Sequence, residues 1–118
     1  MTEFKLEAEA AAVQKIRQEL GELSEKINTL NVQLRENELV MEELKLVKED
    51  NSVYKLIGPV LVKQDIDEAK SNVEKRVDYI QNELKRLEEK RKVDADEFRK
   101  KNEKLMEIQK TLQKKLQQ

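Results

Sequence analysis

Residues 51–65 read NSVYKLIGPVLVKQD, and this short stretch decides the fold. Val53-Tyr54-Lys55-Leu56-Ile57 and Val60-Leu61-Val62 are apolar and rich in β-branched side chains, the composition of strands. Gly58-Pro59 separates them and holds the only proline of the chain. A two-residue loop that starts with glycine suits a tight hairpin turn. Asp50, Asn51 and Ser52 ahead of it are turn formers, poorly placed inside a helix. Asp65 or Asp67 behind it can cap a following helix.

On both sides of this island the pattern is helical. In the first arm, Val13, Ile16, Leu20, Leu23, Ile27, Leu30, Leu34, Asn37, Met41 and Leu44 recur in alternating steps of three and four. A heptad seam held this long argues for a coiled coil, and its one polar member, Asn37, fixes register at some cost in stability. In the second arm Val73, Val77, Ile80, Leu84, Leu87, Arg91, Asp94, Phe98, Lys101, Leu105, Ile108, Leu112 and Lys115 step in the same way, with Ile66 and Ala69 opening the run. Arg91, Asp94, Lys101 and Lys115 make this seam poorer toward the chain end. Their long side chains can snorkel, or pair with Glu19 or Glu22 across the seam.

The expected fold is therefore mainly α: a long antiparallel two-helix coiled coil with one β-hairpin at the bend. Residues 1–50 form the first arm, 51–64 the hairpin and 65–118 the second arm, in a single elongated domain. At 1.5 Å per residue each arm spans roughly 60–70 Å, the second a turn or two longer.

Composition agrees. The 118 residues are 42% charged, with no Cys, His or Trp. Charge this dense without periodicity would read as disorder; with heptads it reads as coiled coil. The absence of cysteine fits a reducing compartment. The absence of His and Cys removes the usual zinc and general-base constellations, so no metal or cofactor is expected. The only glycines, Gly21 and Gly58, cannot form a phosphate loop, and an enzyme is not expected. No apolar run approaches the roughly 20 residues of a membrane span, so no membrane partner is expected and the default site is cytoplasmic. Basic clusters such as Lys90-Arg91-Lys92 are interleaved with acids and lack stacking aromatics. They read as a solvated helix face, and no nucleic-acid partner is expected. Residues 1–50 hold 7 Lys/Arg against 12 Asp/Glu, a net −5, and residues 51–118 hold 17 against 13, a net +4. Arms of opposite sign favour folding back on each other or pairing with unlike chains.

A lone two-stranded hairpin is marginal in water, and this one has apolar side chains on both faces. Val53, Tyr54, Leu56, Ile57, Val60, Leu61 and Val62 are the candidate assembly residues, because free strand edges invite pairing with another chain, up to closure of a small barrel. The alternative is a loop folded down on its own coiled coil. At the opposite end the two chain termini meet. Leu105, Ile108 and Leu112 follow the seam there and Leu6 continues it, whereas Phe4, Met106 and Leu116 lie off it. Together they are the candidate client-binding residues, since Met and Leu at a fraying helix end re-pack around varied partners; the alternative is that they simply finish the coiled coil. A plain coiled-coil scaffold or tether with one fixed partner fits the periodicity equally well, but has no need of the apolar hairpin.

The helix, VYKLIGPVLVKQD, helix order resembles a β-class prefoldin subunit. Leu34-Arg35-Glu36-Asn37 leading to Glu42-Glu43-Leu44 is similar to that family's approach to the hairpin. Gly58 to Gln64 and Arg76-Val77-Asp78-Tyr79-Ile80 are similar to its eukaryotic members. The specific likeness covers residues 34–80; the outer arms share heptad character alone. A single hairpin is similar to the β class and unlike the α class. The resemblance implies a hetero-hexamer with two α-class and three further β-class partners, joined through hairpin residues 53–62. It also implies capture of unfolded actin and tubulin without ATP and transfer to the cytosolic chaperonin.

Overall fold

A computed structural model describes residues 2–48 and 51–117. Helix α1 spans Thr2–Lys45, strand β1 Val53–Ile57, strand β2 Val60–Gln64 and helix α2 Ile66–Gln117. With 52 residues against 44, α2 is eight residues, or about two turns, longer than α1. Acidic side chains (Glu3; Asp67 and Glu68) occupy the first turns and basic ones (Lys45; Lys114 and Lys115) the last turns, matching the helix dipoles.

The chain packs as two units, residues 28–85 and residues 1–27 with 86–118. In the first, Leu44, Ala69 and Val73 form a buried cluster, with Met41, Val53 and Val77 against it. Ile80 and Leu84 are buried further along α2. Every one of these except Val53 is a seam position read from the heptads. Val53 ties the foot of β1 to the helical core. Asn37, half-buried in the seam, donates its side-chain N–H to the Gln33 carbonyl one turn earlier in its own helix at 2.7 Å.

The second unit buries Val13, Ile16, Leu23, Ile27 and Leu87. Its polar seam positions are served mostly from their own helix. Arg91 meets Glu88 at 2.7 Å, Asp94 meets Lys90 at 3.1 Å and Lys101 meets Glu97 at 3.7 Å. These pairs lie within α2, one helical turn apart, instead of crossing to Glu19 or Glu22. Arg91 and Lys115 are exposed, because their long stems carry the charge out of the seam. Contacts of other side chains do cross between the helices here. Lys104 Nζ reaches Glu9 Oε1 at 3.0 Å, and the Arg17 guanidinium lies over the Phe98 ring, 5.6 Å from its centre.

The helix boundaries differ slightly from expectation. The first arm ends at Lys45 rather than at residue 50. There Leu46 N–H bonds to the Glu43 carbonyl and Val47 N–H to the Leu44 carbonyl, a tightened last turn. A further turn closes from Asn51 N–H to the Lys48 carbonyl. Asp50, expected in the turn, lies outside the described residues. Of the two capping candidates it is Asp65 that caps α2, its Oδ1 accepting from Asp67 N–H at 3.0 Å.

Candidate assembly and client-binding surfaces

The hairpin is built by register. Val53 faces Gln64, Tyr54 faces Lys63, Lys55 faces Val62, Leu56 faces Leu61 and Ile57 faces Val60. The second strand therefore runs two residues beyond the expected Val60–Val62, because Lys63 and Gln64 find partners in β1. Gly58 has φ +58° and Pro59 follows, the order that a type II′ turn requires. Alternation puts Val53, Lys55, Ile57, Val60 and Val62 on one face and Tyr54, Leu56, Leu61 and Lys63 on the other.

Both faces are open. Tyr54, Leu56, Ile57, Val60, Leu61 and Val62 are exposed, and only Val53 is drawn into the helical core. The hairpin is thus not folded down on its own helices. Among the described residues the sheet has two strands, so each strand keeps one outer edge unpaired.

The seven tip residues divide by heptad position. Leu6, Leu105, Ile108 and Leu112 are half-buried, whereas Phe4 (77%), Met106 (53%) and Leu116 (80%) are exposed. The seam members therefore finish the coiled coil and the off-seam members form the free apolar surface. No His, Cys, Asp and Glu group that could hold a metal occurs among the described residues, and none of their helices is long and apolar enough to cross a membrane.

The sequence reading followed the seam and passed over the outer face of α1. Val32, Leu39 and Val40 are exposed apolar side chains there, and Leu46 is another just past the helix end. Counting the heptad position opposite the seam, as well as the seam itself, would have marked three of them.

The sequence matches the family described as prefoldin subunit over residues 7–118. The chain belongs to the prefoldin subunit family. It is 46% identical over 108 residues to prefoldin subunit 6 of Arabidopsis thaliana, covering 92% of this chain and 84% of that protein. It is 45% identical over 84 residues to prefoldin subunit 6 of Homo sapiens, covering 71% of this chain and 65% of the human protein. Among solved structures, the prefoldin beta subunit from Thermococcus strain KS-1 shares its fold. The TM-score is 0.68 at 24% identity, over 97% of this chain and 94% of the other. Prefoldin subunits are non-enzymatic chaperone components, and membership implies assembly with other prefoldin subunits.

Proposed function

We propose that this chain is a β-class subunit of a hetero-hexameric, ATP-independent cytoplasmic co-chaperone. Two α-class and three further β-class subunits complete the assembly, and hairpin residues 53–62 join it. In this reading the two packed units act as one domain. The observation that carries the reading is the hairpin itself: six exposed apolar side chains on two faces, with both strand edges free. Such a surface is costly in water and is satisfied when strands of other subunits pair along the edges.

Client capture belongs at the chain ends. Phe4, Met106 and Leu116 supply exposed apolar surface, and Leu6, Leu105, Ile108 and Leu112 become available as the last turns fray. Flexible Met and Leu side chains suit unfolded clients of varied sequence, notably actin and tubulin, which are then passed to the cytosolic chaperonin. Removal of residues 105–118 tests this. The shortened chain should still assemble with its sister subunits and should fail to keep denatured actin from aggregating. Undiminished protection would refute client binding at these residues.

A further inference from the structure

In a two-helix coiled coil, the heptad position diametrically opposite the seam faces solvent and is ordinarily polar. Helix α2 obeys this over its whole length: Lys75, Asn82, Glu89, Asp96, Glu103 and Lys110 fall there, and all are exposed. So does the middle of α1, with Gln18 and Glu25. The next two such positions of α1, and the one just past its end, break the rule. They are Val32, Leu39 and Leu46, exposed at 57%, 45% and 75%, with Val40 beside them at 46%. Val32 and Leu39 stand about 10 Å apart along α1, and Leu46 follows at the same sequence spacing in the turn that ends the helix.

The ridge they form lies where the chain leads into the hairpin, within the same packed unit as β1 and β2. It thus shares a packed unit with the exposed apolar hairpin. We infer that this ridge is a second contact with a neighbouring prefoldin subunit, seated against one of that subunit's helices close to its own hairpin. The inference rests on the hexamer reading above and adds a helix-to-helix contact to the strand pairing.

The chemistry of the ridge specifies the partner face. Apolar residues every seventh position match a helix that carries its own apolar stripe at that spacing. Glu36, Glu42 and Glu43 lie beside the ridge with Arg35 and Lys45, an excess of acid, so the matching stripe is edged by Lys or Arg. An unfolded client does not require a fixed spacing.

The test is site-specific crosslinking in the intact assembly. A photo-reactive residue replaces Leu39, the assembly is purified through a tag on this chain, and its mass is measured before irradiation. The expected product is a crosslink to the hairpin-proximal helix of one sister subunit. It should be reduced roughly tenfold or more when Val32→Gln and Leu46→Gln are added. An assembly of full mass that yields crosslinks only to added client, or none to a sister subunit, overturns the ridge contact and leaves the hexamer reading standing. A chain that recovers no sister subunits overturns both. Circular dichroism of the variant controls for folding, because these side chains lie outside the chain's own core.

Discussion

Leu44 and Leu39 are leucines of one helix, five residues apart, and replacing each by alanine separates core from surface. Leu44 is 7% exposed and packs with Ala69, Val73, Met41, Val53 and Val77. Leu39 stands on the outer face. Truncating a buried leucine costs about 2–5 kcal/mol, depending on how far the site collapses. None of the described side chains is buried below 2% exposure, so this thin core relaxes and hydrates readily. That places Leu44→Ala at the low end, about 2–3 kcal/mol. For a chain of this size the loss lowers Tm by roughly 8–12 °C. Leu39→Ala removes no core contact and introduces a better helix former, so its effect stays within about 0.5 kcal/mol. The assay is thermal unfolding of the isolated chain by circular dichroism at one fixed protein concentration, since self-association would itself move Tm. Equal losses for the two variants, or a shift below about 3 °C for Leu44→Ala, would refute the packing described here.

Three further perturbations follow from individual contacts. Gly58→Ala should cost roughly 1–2 kcal/mol through its positive φ alone, because an added Cβ meets nothing within 4 Å; faster amide exchange confined to β1 and β2 checks it. Asn37→Leu replaces a half-buried polar seam residue whose amide is satisfied within its own helix, and should add about 1 kcal/mol of stability, read as a higher urea midpoint. Lys104→Ala breaks the 3.0 Å pair with Glu9, but the lysine side chain is more than half exposed. The loss should be under ~1 kcal/mol and should disappear near ~1 M salt, as paired unfolding curves at low and high salt would show.

Much of the fold was legible because heptad period and seam burial are one physical fact. From Val13 to Leu44, every residue assigned to the seam is buried or half-buried. The hairpin was legible from Gly58-Pro59 between two β-branched runs. That Lys63 and Gln64, inside the expected 51–64 hairpin, are themselves paired strand residues was not, since pairing with Tyr54 and Val53 is set by register and not by composition. The end of α1 was misjudged because a tightened last turn at Leu46 and Val47 leaves no mark in side-chain pattern. Arg91, Asp94 and Lys101 looked like candidates for pairing across the seam, yet sit one turn from Glu88, Lys90 and Glu97 of their own helix, where pairing needs no reach. The ridge of Val32, Leu39 and Leu46 was present in the sequence throughout. It was missed because each residue, taken singly, is an ordinary surface apolar residue.

The most direct measurement is the native mass of the species recovered through this chain from its own cell extract, for the wild type and for Val60→Lys with Val62→Lys. The account predicts that the wild type arrives with sister prefoldin subunits in near-equal amounts. The double variant should arrive as a free chain whose helical circular dichroism is unchanged. Full assembly of the double variant, or a wild type recovered alone or with one large folded partner, would contradict it.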